Sequence, residues 1–198
     1  MSLPARRLFS DDEYLWLERA ARHRSELING EIYAMSGASL PHNVITVNVA
    51  GELRQRLKGK PCQAMASDLR VQISATGAYV YPDVVVVCDE PVLRPDGHLD
   101  TLTNPTLVVE VLSSSTEAYD RDEKAAHYRR LSSLREYVLV AQDRPHVEVY
   151  RRRGDGGAEW VLSEADGVNE TIQLASIGCD LALAEVYDRI TFGPAPAG

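Results

Sequence analysis

Hydrophobic and polar residues follow two different periods along this chain, and together they predict a protein of mixed helices and strands. Apolar side chains recur at helical spacing over three segments, residues 11–22, 41–57 and 116–131. Short apolar runs bounded by turn residues predict β-strands around these helices. The runs are ELINGEIYAM (26–35), DLRVQIS (68–74), AYVYPDVVVVCDE (78–90), TLVVEVL (106–112), REYVLVAQ (135–142), HVEVYRR (146–152), EWVLS (159–163) and ETIQL (170–174). This order predicts the α+β (α/β) class, with a mixed β-sheet flanked by helices and extra antiparallel strands.

Two local motifs indicate where the first elements begin and turn. Ser10 is followed three residues later by Glu13, which is the pattern of a capping box at a helix N-terminus. Asn29-Gly30 separates two short apolar runs and is the strongest short-range signal for a β-hairpin. We therefore expect a first helix from residue 11, followed by a tight hairpin.

The length and composition are those of an ordinary globular protein. The chain has 198 residues, of which 44% are hydrophobic and 25% are charged. We expect one domain over residues 1–198, with a core at about 8–190 and a frayed tail at 192–198. The beginning of the chain lacks an apolar stretch of signal-peptide length, and no run approaches the roughly 20 apolar residues of a membrane span. We therefore expect no membrane association.

Cysteine usage and net charge refine this picture. The three cysteines, Cys62, Cys88 and Cys179, are widely spaced and form no C-x-x-C pair. We therefore expect a reduced, cytoplasmic protein with neither a zinc knuckle nor a disulfide framework. The net charge is −8, whereas proteins that track nucleic-acid phosphates usually carry a positive excess. The negative charge is concentrated in residues 61–120.

A carboxylate stands inside a hydrophobic strand. Glu110 shares one face of its predicted strand with Val108 and Leu112, because side chains alternate between the two faces. Asp83 opens the run Val84–Val87, whose continuous apolar character predicts a strand covered on both faces. If the two strands are neighbours, their carboxylates meet in a poorly solvated place and need a compensating cation. A Mg²⁺ ion would supply it, which indicates phosphodiester hydrolysis.

Lys124 is the cationic candidate on the following predicted helix. The chain has 21 basic residues, of which only three are lysines. Helical spacing puts Lys124 on one face with Asp120, Tyr128 and Leu131, and the last two make that face the one expected to pack on the sheet. A lysine there can orient a water or stabilise transition-state charge, although a solvated helix lysine explains the same position.

The sequence around these residues resembles a known family. The blocks that carry the resemblance are YPD (81–83), LVVEVLS (107–113), DRDEKAAHY (120–128), EYVLV (136–140) and ELINGEIYAMSG (26–37), followed by His42. They are similar to the Uma-type family of bacterial endonuclease-like proteins, in the PD-(D/E)xK restriction-endonuclease-like superfamily. The resemblance covers roughly residues 8–190.

The resemblance implies a fold and a set of site residues. The fold would be the restriction-endonuclease-like core of order αβββαβ, which fits the predicted order of elements. Asp83 and Glu110 would ligate Mg²⁺ or Mn²⁺, and Lys124 would be the catalytic lysine. The chain departs from the superfamily at Leu112, where a lysine is expected two residues after the glutamate. The family resemblance implies that this lysine has moved to the helix.

Further residues are weaker candidates. Glu31, just after the hairpin turn, is a candidate ligand or base, although a surface residue explains that position equally well. His42 is a candidate for orienting phosphate or water, although a histidine at the start of a helix more often only caps and packs. Candidate supporting residues are Asp68, Ser113, Asp120 and Tyr128. Three basic stretches, at 54–60, 129–130 and 151–153, are candidate phosphate contacts, although charge runs usually face solvent.

The sequence therefore favours a Mg²⁺-dependent endonuclease that hydrolyses DNA. Two other classes stay open: a non-catalytic binding or assembly module with a nuclease fold, and a metal-dependent hydrolase of small phosphate esters. The superfamily resemblance also implies a homodimer, because one active site cuts one strand. Metal-dependent cleavage that depends on Glu110 separates the first class from the second.

Overall fold

A six-stranded sheet forms the centre of the protein in the computed structural model, which describes residues 7–154 and 157–193. Two neighbouring strands, Leu107–Val111 and Glu136–Val140, pair in parallel, and the other neighbours pair antiparallel. In spatial order the strands are β11 (Trp160–Asp166), β10 (His146–Arg152), β9 (Glu136–Val140), β8 (Leu107–Val111), β6 (Val84–Cys88) and β3 (Cys62–Ala66). The mixed sheet confirms the predicted fold class.

Two smaller sheets complete the β structure. The five-stranded sheet has the order β2 (Glu31–Ala34), β1 (Ser25–Ile28), β5 (Ala78–Val80), β4 (Arg70–Ile73) and β7 (Thr101–Leu102). A two-stranded sheet pairs β12 (Thr171–Leu174) with β13 (Cys179–Ala182). The hairpin between β1 and β2 turns at Asn29 and Gly30, whose φ angles are 51° and 79°. Both central residues have positive φ, as the predicted tight hairpin turn requires.

The helices lie before, between and after the strands. They are α1 (Asp11–Ala20), α2 (Leu40–Arg56), α3 (Glu117–Tyr119), α4 (Ala125–Tyr128) and α5 (Leu183–Val186). A π-helical turn, Asp120–Lys124, connects α3 to α4, so one helical segment runs over 117–128. Both bonds of the predicted capping box form at α1, between Ser10 and Glu13. No helix of the described residues is long and apolar enough to span a bilayer.

Two apolar layers of the core lie on opposite faces of the central sheet, and a smaller cluster packs α1 against the five-stranded sheet. On one face, Val84 and Val86 pack with α2, α5 and the two-stranded sheet. On the other face, Val85 and Val87 pack with the helical segment 117–128 and the five-stranded sheet. Alternate valines of β6 therefore face different layers, which explains why this strand is apolar without interruption.

Four strand predictions need correction. The segment AYVYPDVVVVCDE is two strands, because the chain leaves the five-stranded sheet after Val80 and enters the central sheet at Val84. Pro82, in the connection, has no amide hydrogen for a ladder. Strands β3, β7 and β13 were missed, since β7 has only two residues and the sequences of β3 and β13, CQAMA and CDLA, lack a clear alternation of apolar and polar residues. The predicted tail falls partly on residues 194–198, which lie outside the described residues.

The expectation of no disulfide is wrong for one pair of cysteines. Cys62 on β3 and Cys88 on β6 are directly opposite in the antiparallel register and form a disulfide, whereas Cys179 is a thiol. The two residues are 26 positions apart in the chain, and only the strand pairing makes them neighbours. The spacing of the cysteines in the sequence does not indicate this pairing.

Candidate active site

Strand register brings Asp83 and Glu110 together. Val84 on β6 pairs with Val109 on β8, so the next residues along the antiparallel pair are Asp83 and Glu110. Directly opposite residues of such a pair have Cβ atoms about 4.5–5.5 Å apart. The backbone N–H of Val111 donates to Oδ2 of Asp83 at 2.7 Å, which fixes the aspartate against β8. The sheet thus holds the two predicted carboxylates side by side.

The helical segment 117–128 directs Lys124 at these carboxylates. Lys124 Nζ lies 2.9 Å from Glu110 Oε1 and 3.8 Å from Asp120 Oδ1. The hydroxyl of Tyr128, one turn further on, donates to Glu110 Oε1 at 2.8 Å. Tyr137 on β9 donates to the backbone carbonyl of Asp120 at 2.9 Å and ties the π-helical turn to the sheet. The helical face that the sequence predicted to pack on the sheet is the one that does so.

A residue that sequence analysis did not select, Glu26, completes the cluster. Its Oε1 lies 3.1 Å from Lys124 Nζ and accepts the backbone N–H of Tyr81 at 2.9 Å. Glu26 is 6% exposed although it stands on β1 of the other sheet. The signal that could have identified Glu26 in the sequence is its place beside apolar residues in the run ELI, since Glu110 also stands among apolar residues in its strand.

Glu31 and His42 have different surroundings. Glu31 begins β2 and accepts the hydroxyl of Tyr33 at 3.1 Å, but it does not line the cavity beside Lys124. His42 stands in the first turn of α2, where the Ser39 side chain caps the helix, and its Nε2 lies 3.3 Å from Asp83 Oδ2. The structure thus brings His42, and not Glu31, to the two predicted carboxylates.

These side chains form one buried group that carries an excess of negative charge. We call it the cavity cluster, and it consists of Glu26, His42, Asp83, Glu110, Asp120 and Lys124. Burial raises the pKa of Glu110 well above its ordinary value, and the neighbouring carboxylates add to this against the opposing effect of Lys124. Burial also raises the pKa of Asp120. Four carboxylates share one lysine and one histidine, so carboxylates outnumber the cationic side chains in the cluster.

The two cations of the cavity cluster are held in their charged forms. Burial opposes the charge on Lys124, but Glu110, Glu26 and Asp120 together raise its pKa well above the ordinary value. Burial likewise opposes the charge on His42, while hydrogen bonding and attraction to Asp83 raise its pKa. Both residues therefore stay protonated more readily than isolated side chains do, as expected beside so many carboxylates.

The cluster faces a cavity of about 510 Å³. One wall is the segment 33–39 after the hairpin, and the other is the hydroxyl-rich segment 113–116 that leads into α3. The Ser39 hydroxyl donates to Gln142 Oε1 at 2.5 Å, which joins the loop before α2 to the end of β9. The volume is in the range of pockets that hold small ligands.

The chemistry of the donors fits a hard divalent cation. Within the described residues, the contacts of Glu110 use Oε1 and those of Asp83 use Oδ2, so Oε2 and Oδ1 are not engaged by the protein. Carboxylate oxygens that are rigidly held and short of positive charge are what Mg²⁺ requires. Asp83 and Glu110 could therefore hold such an ion at the cavity.

A second group of ion-ligating side chains lies elsewhere, on β10 and β11. Ligand atoms of His146, Glu148 and Glu164 lie within 4.8 Å of one another. However, Arg121 Nη1 lies 2.7 Å from Glu148 Oε2, and the pKa of Glu148 is lowered, because the arginine outweighs the effect of burial. An ion bound there would have to compete with an arginine already in place, so the cavity cluster is the better candidate.

The remaining candidates have structural surroundings or lie far from the cavity. Arg151 pairs with the buried Glu136 at 2.7 Å, and Arg152 donates to backbone carbonyls, including that of Leu131 at 2.8 Å. The basic residues at 54–60 follow the far end of α2, about 20 Å from His42 at 1.5 Å of rise per residue. Asp68 lies 3.6 Å from Arg24 at the surface. These stretches do not surround the cavity cluster.

A protein-family model and two known proteins are similar to this chain. A family model described as "Putative restriction endonuclease" (Uma2) matches residues 11–184. Two proteins of Synechocystis sp. are similar: "Uncharacterized protein slr1290" is 37% identical over 92% of this chain and 93% of its own, and "Uncharacterized protein sll1609" is 35% identical over 88% and 97%.

A solved structure shares the fold. It is a crystal structure from Anabaena variabilis ATCC 29413, described as "a putative nuclease belonging to DUF820". It superposes with a TM-score of 0.74 and 18% sequence identity, over 91% of this chain and 98% of that one. At this identity the likeness concerns the fold alone. The family match over residues 11–184, with two relatives more than 30% identical along most of their length, shows that the chain belongs to the Uma2 family.

Proposed function

We propose that this protein is a divalent-metal-dependent endonuclease that hydrolyses phosphodiester bonds in DNA. The observation that carries the proposal is the cavity cluster, in which rigidly held carboxylates share too little positive charge beside an accessible cavity. Perturbed, buried carboxylates in a cleft are characteristic of functional sites. The family description and the description of the structural neighbour both name a nuclease and support the same reaction class.

Asp83 and Glu110 are the proposed ligands of Mg²⁺ or Mn²⁺. Bound there, the ion would neutralise charge that develops on the scissile phosphate and lower the pKa of a water molecule. The hydrogen bonds from Val111 N to Asp83 and from Tyr128 to Glu110 hold the two side chains in fixed orientations. Pre-oriented ligands of this kind do not have to reorganise when the ion and the substrate arrive.

Lys124 is the proposed catalytic lysine. Its ammonium lies between Glu110 and Glu26 and borders the cavity. In this position it can donate a hydrogen bond to the attacking water or to a phosphate oxygen, and so stabilise negative charge in the transition state. In this proposal the helix lysine takes the role that the superfamily resemblance gives to a lysine at the strand position of Leu112.

His42 is the proposed partner of the phosphate on the Asp83 side. Its imidazole is hydrogen-bonded to Asp83, and its raised pKa favours the charged form that can donate to a phosphate oxygen. The N-terminus of α2, where His42 stands, also attracts negative charge. Glu26 is the proposed positioning residue for Lys124, since its Oε1 lies 3.1 Å from the ammonium that also pairs with Glu110.

The experiment is a plasmid-cleavage assay with purified protein in Mg²⁺, in Mn²⁺ and in a chelator. We expect metal-dependent nicking or linearisation that is lost in Asp83→Asn, Glu110→Gln and Lys124→Met. The matched control is Glu164→Gln, which removes one ligand of the group on β10 and β11 and should leave cleavage unchanged. The ratio of linear to nicked plasmid also tests whether two copies of the chain act together, because one site cuts one strand.

Two results would contradict the proposal. Cleavage that is unchanged in the Asp83 and Glu110 variants would show that the site is elsewhere. Loss of cleavage in Glu164→Gln alone would assign the metal to β10 and β11. An absence of cleavage by the unaltered protein, together with turnover of a chromogenic phosphodiester, would instead support the class of small-ester hydrolases.

A further inference from the structure

Two half-exposed apolar side chains line the cavity next to the cavity cluster. Tyr33 on β2 is 46% exposed and Met35, just after that strand, is 40% exposed. Both border the same cavity as Glu110 and Lys124. Large apolar side chains left in water beside a proposed active site are candidates for contact with a substrate.

The hairpin register puts Tyr33 beside the proposed reacting centre. Tyr33 pairs directly with Glu26 across β1 and β2, so the two side chains project from the same face of the hairpin. Glu26 in turn pairs with Lys124 at 3.1 Å. The tyrosine ring therefore stands one side chain away from the proposed catalytic lysine.

Glu31 holds the tyrosine. The Tyr33 hydroxyl donates to Glu31 Oε2 at 3.1 Å, and the two residues are separated by one position, so they share a face of β2. A hydrogen bond to the far end of the ring restricts its rotation, and the side chain is 46% exposed. Glu31, the glutamate after the hairpin turn, thus contacts a residue that lines the cavity.

The cavity offers few cations for gripping a nucleic-acid backbone. Among its lining residues, all within the described part of the chain, the basic side chains are His42 and Lys124. Both are already paired with carboxylates. Phosphate contacts usually supply most of the affinity of proteins that bind duplex DNA, and within the cavity they are limited to these two side chains and the proposed metal ion. Contact with a base would add affinity that so few phosphate contacts do not supply.

We propose that Tyr33, with Met35 beside it, forms a stacking platform for an unpaired nucleobase, so that the enzyme acts on single-stranded or locally unpaired DNA. The inference rests on the proposed function and specifies its substrate class. The bases of an intact duplex are stacked on one another and present no face to a protein side chain, whereas an unpaired base does. Stacking on a tyrosine also depends little on base identity.

The test measures cleavage of a single strand, of the same sequence as a duplex, and of a single strand with abasic sites around the cleavage position. We expect the unaltered protein to prefer the intact single strand. Tyr33→Ala should raise KM for that strand by about tenfold with little change in kcat, because the ring touches the base and not the reacting atoms. Tyr33→Phe keeps the ring and should retain most of the affinity.

Two controls separate stacking from a structural effect. Trp16→Ala removes an aromatic ring that is 72% exposed on α1, outside the cavity lining, and should leave KM unchanged. On the abasic strand, Tyr33→Ala should behave like the unaltered protein, because the base that the ring would contact is missing. An equal loss on both strands would overturn the proposal.

The experiments can disprove the stacking platform without disproving the proposed nuclease activity. Fluorescence anisotropy of a labelled single strand with Glu110→Gln measures binding without cleavage, so Tyr33→Ala in that background tests the platform even if no cleavage is found. Cleavage of the duplex equal to or faster than that of the single strand would overturn the platform and leave the nuclease standing. Binding of the single strand that is indifferent to Tyr33→Ala would also overturn the platform.

Discussion

The protein contains two groups of neighbouring charged side chains, and their positive and negative charges are balanced differently. One is the cavity cluster. The other, which we call the arginine cluster, joins α1 to the loop before β7 and consists of Asp11, Asp12, Arg19, Arg70, Arg94, Asp96 and Asp100. In the arginine cluster Arg19 lies 2.8 Å from Asp100 and 2.9 Å from Asp96, and Arg94 lies 2.9 Å from Asp12.

The pKa values move in opposite directions in the two groups. Hydrogen bonds from Arg19 lower the pKa of Asp96 and of Asp100 below the ordinary value. In the cavity cluster, burial raises the pKa of Glu110 and Asp120, and one lysine cannot offset it. A group in which each carboxylate has an arginine needs nothing further, whereas a group short of positive charge is suited to receive a cation. This difference separates a structural network from a candidate site.

The largest expected effect is on activity, in Glu110→Gln. We expect cleavage to fall by about 1,000-fold, because the change removes a proposed metal ligand beside the scissile phosphate. The free energy of unfolding should not fall, since the amide can still accept from Tyr128 and one of the crowded carboxylates is gone. Cleavage rates and urea unfolding, measured on the same preparation, check the expected loss of activity and the expected retention of stability.

The matched control is Glu148→Gln, which changes another buried glutamate outside the cavity. It should lower the free energy of unfolding, since Arg121 loses the buried one of its two charged partners, Glu148 and Glu117, and leave the specific activity of the folded protein unchanged. A variant of Glu110 that loses stability as well as activity would mean that the two groups do not differ as described.

The next largest effect is on stability, in Arg70→Met. Arg70 is 1% exposed, donates to Tyr81 and Thr101, and lies 3.8 Å from Asp100. Removal of one member of such a network leaves buried polar groups unpaired and should cost about 3–5 kcal/mol of unfolding free energy. Urea titration followed by circular dichroism measures it.

Arg189→Met is the control for that variant, because its side chain is 88% exposed and, among the described residues, its ion pair is with Asp188 at 3.7 Å. We expect a change within about 0.5 kcal/mol. A cost below about 1 kcal/mol for Arg70→Met would contradict the structural role of the arginine cluster.

A smaller effect concerns the pH dependence of metal binding. A carboxyl whose pKa is raised must lose its proton before it can ligate Mg²⁺, so affinity should increase with pH by up to about tenfold per unit for each proton displaced. Titration calorimetry in two buffers of different ionisation enthalpy measures that proton release. Affinity that does not change with pH would indicate that Glu110 is ionised without the metal.

The smallest effect is the loss of stability in acid. The lowered pKa of Asp100 contributes stability that is present above about pH 3.9, the ordinary aspartate value, and is lost as pH falls through the folded-state value. Asp100→Asn should flatten this part of the curve by less than about 1 kcal/mol, since the group is partly exposed.

The raised pKa of Glu110 changes stability with pH in the opposite direction. Its folded state binds the proton more tightly, so stability falls as pH rises from about 4.3 toward the folded-state value. Glu110→Gln should therefore remove a decline on the neutral side, whereas Asp100→Asn acts on the acid side. Unfolding curves collected across pH distinguish the two, and a shared profile would contradict the comparison.

Local patterns were enough to predict most elements of the fold. The Ser10–Glu13 capping box and the Asn29-Gly30 hairpin depend on neighbouring residues, and both form as predicted. The alternation around Glu110 and the helical spacing of Lys124 gave each residue a face, and the structure places those faces against each other. Short-range geometry decides these features, so the sequence contains them.

Long-range pairing decided the rest. The hairpin offers two glutamates, and the one beside Lys124 is Glu26 because β1 pairs with β5, which fixes the position of the hairpin relative to the helical segment 117–128. The Cys62–Cys88 disulfide likewise follows from the register of β3 and β6.

The sequence by itself determined which chemical groups are available: two carboxylates in apolar strands, a rare lysine, and a histidine at a helix start. The tertiary structure decided which of them share a cavity, which carboxylates an arginine neutralises, and that Tyr33 lines the cavity. The physical reason is that charge balance is a property of neighbours in space. Glu26 and Glu110 are far apart in the chain and share one ammonium in the fold.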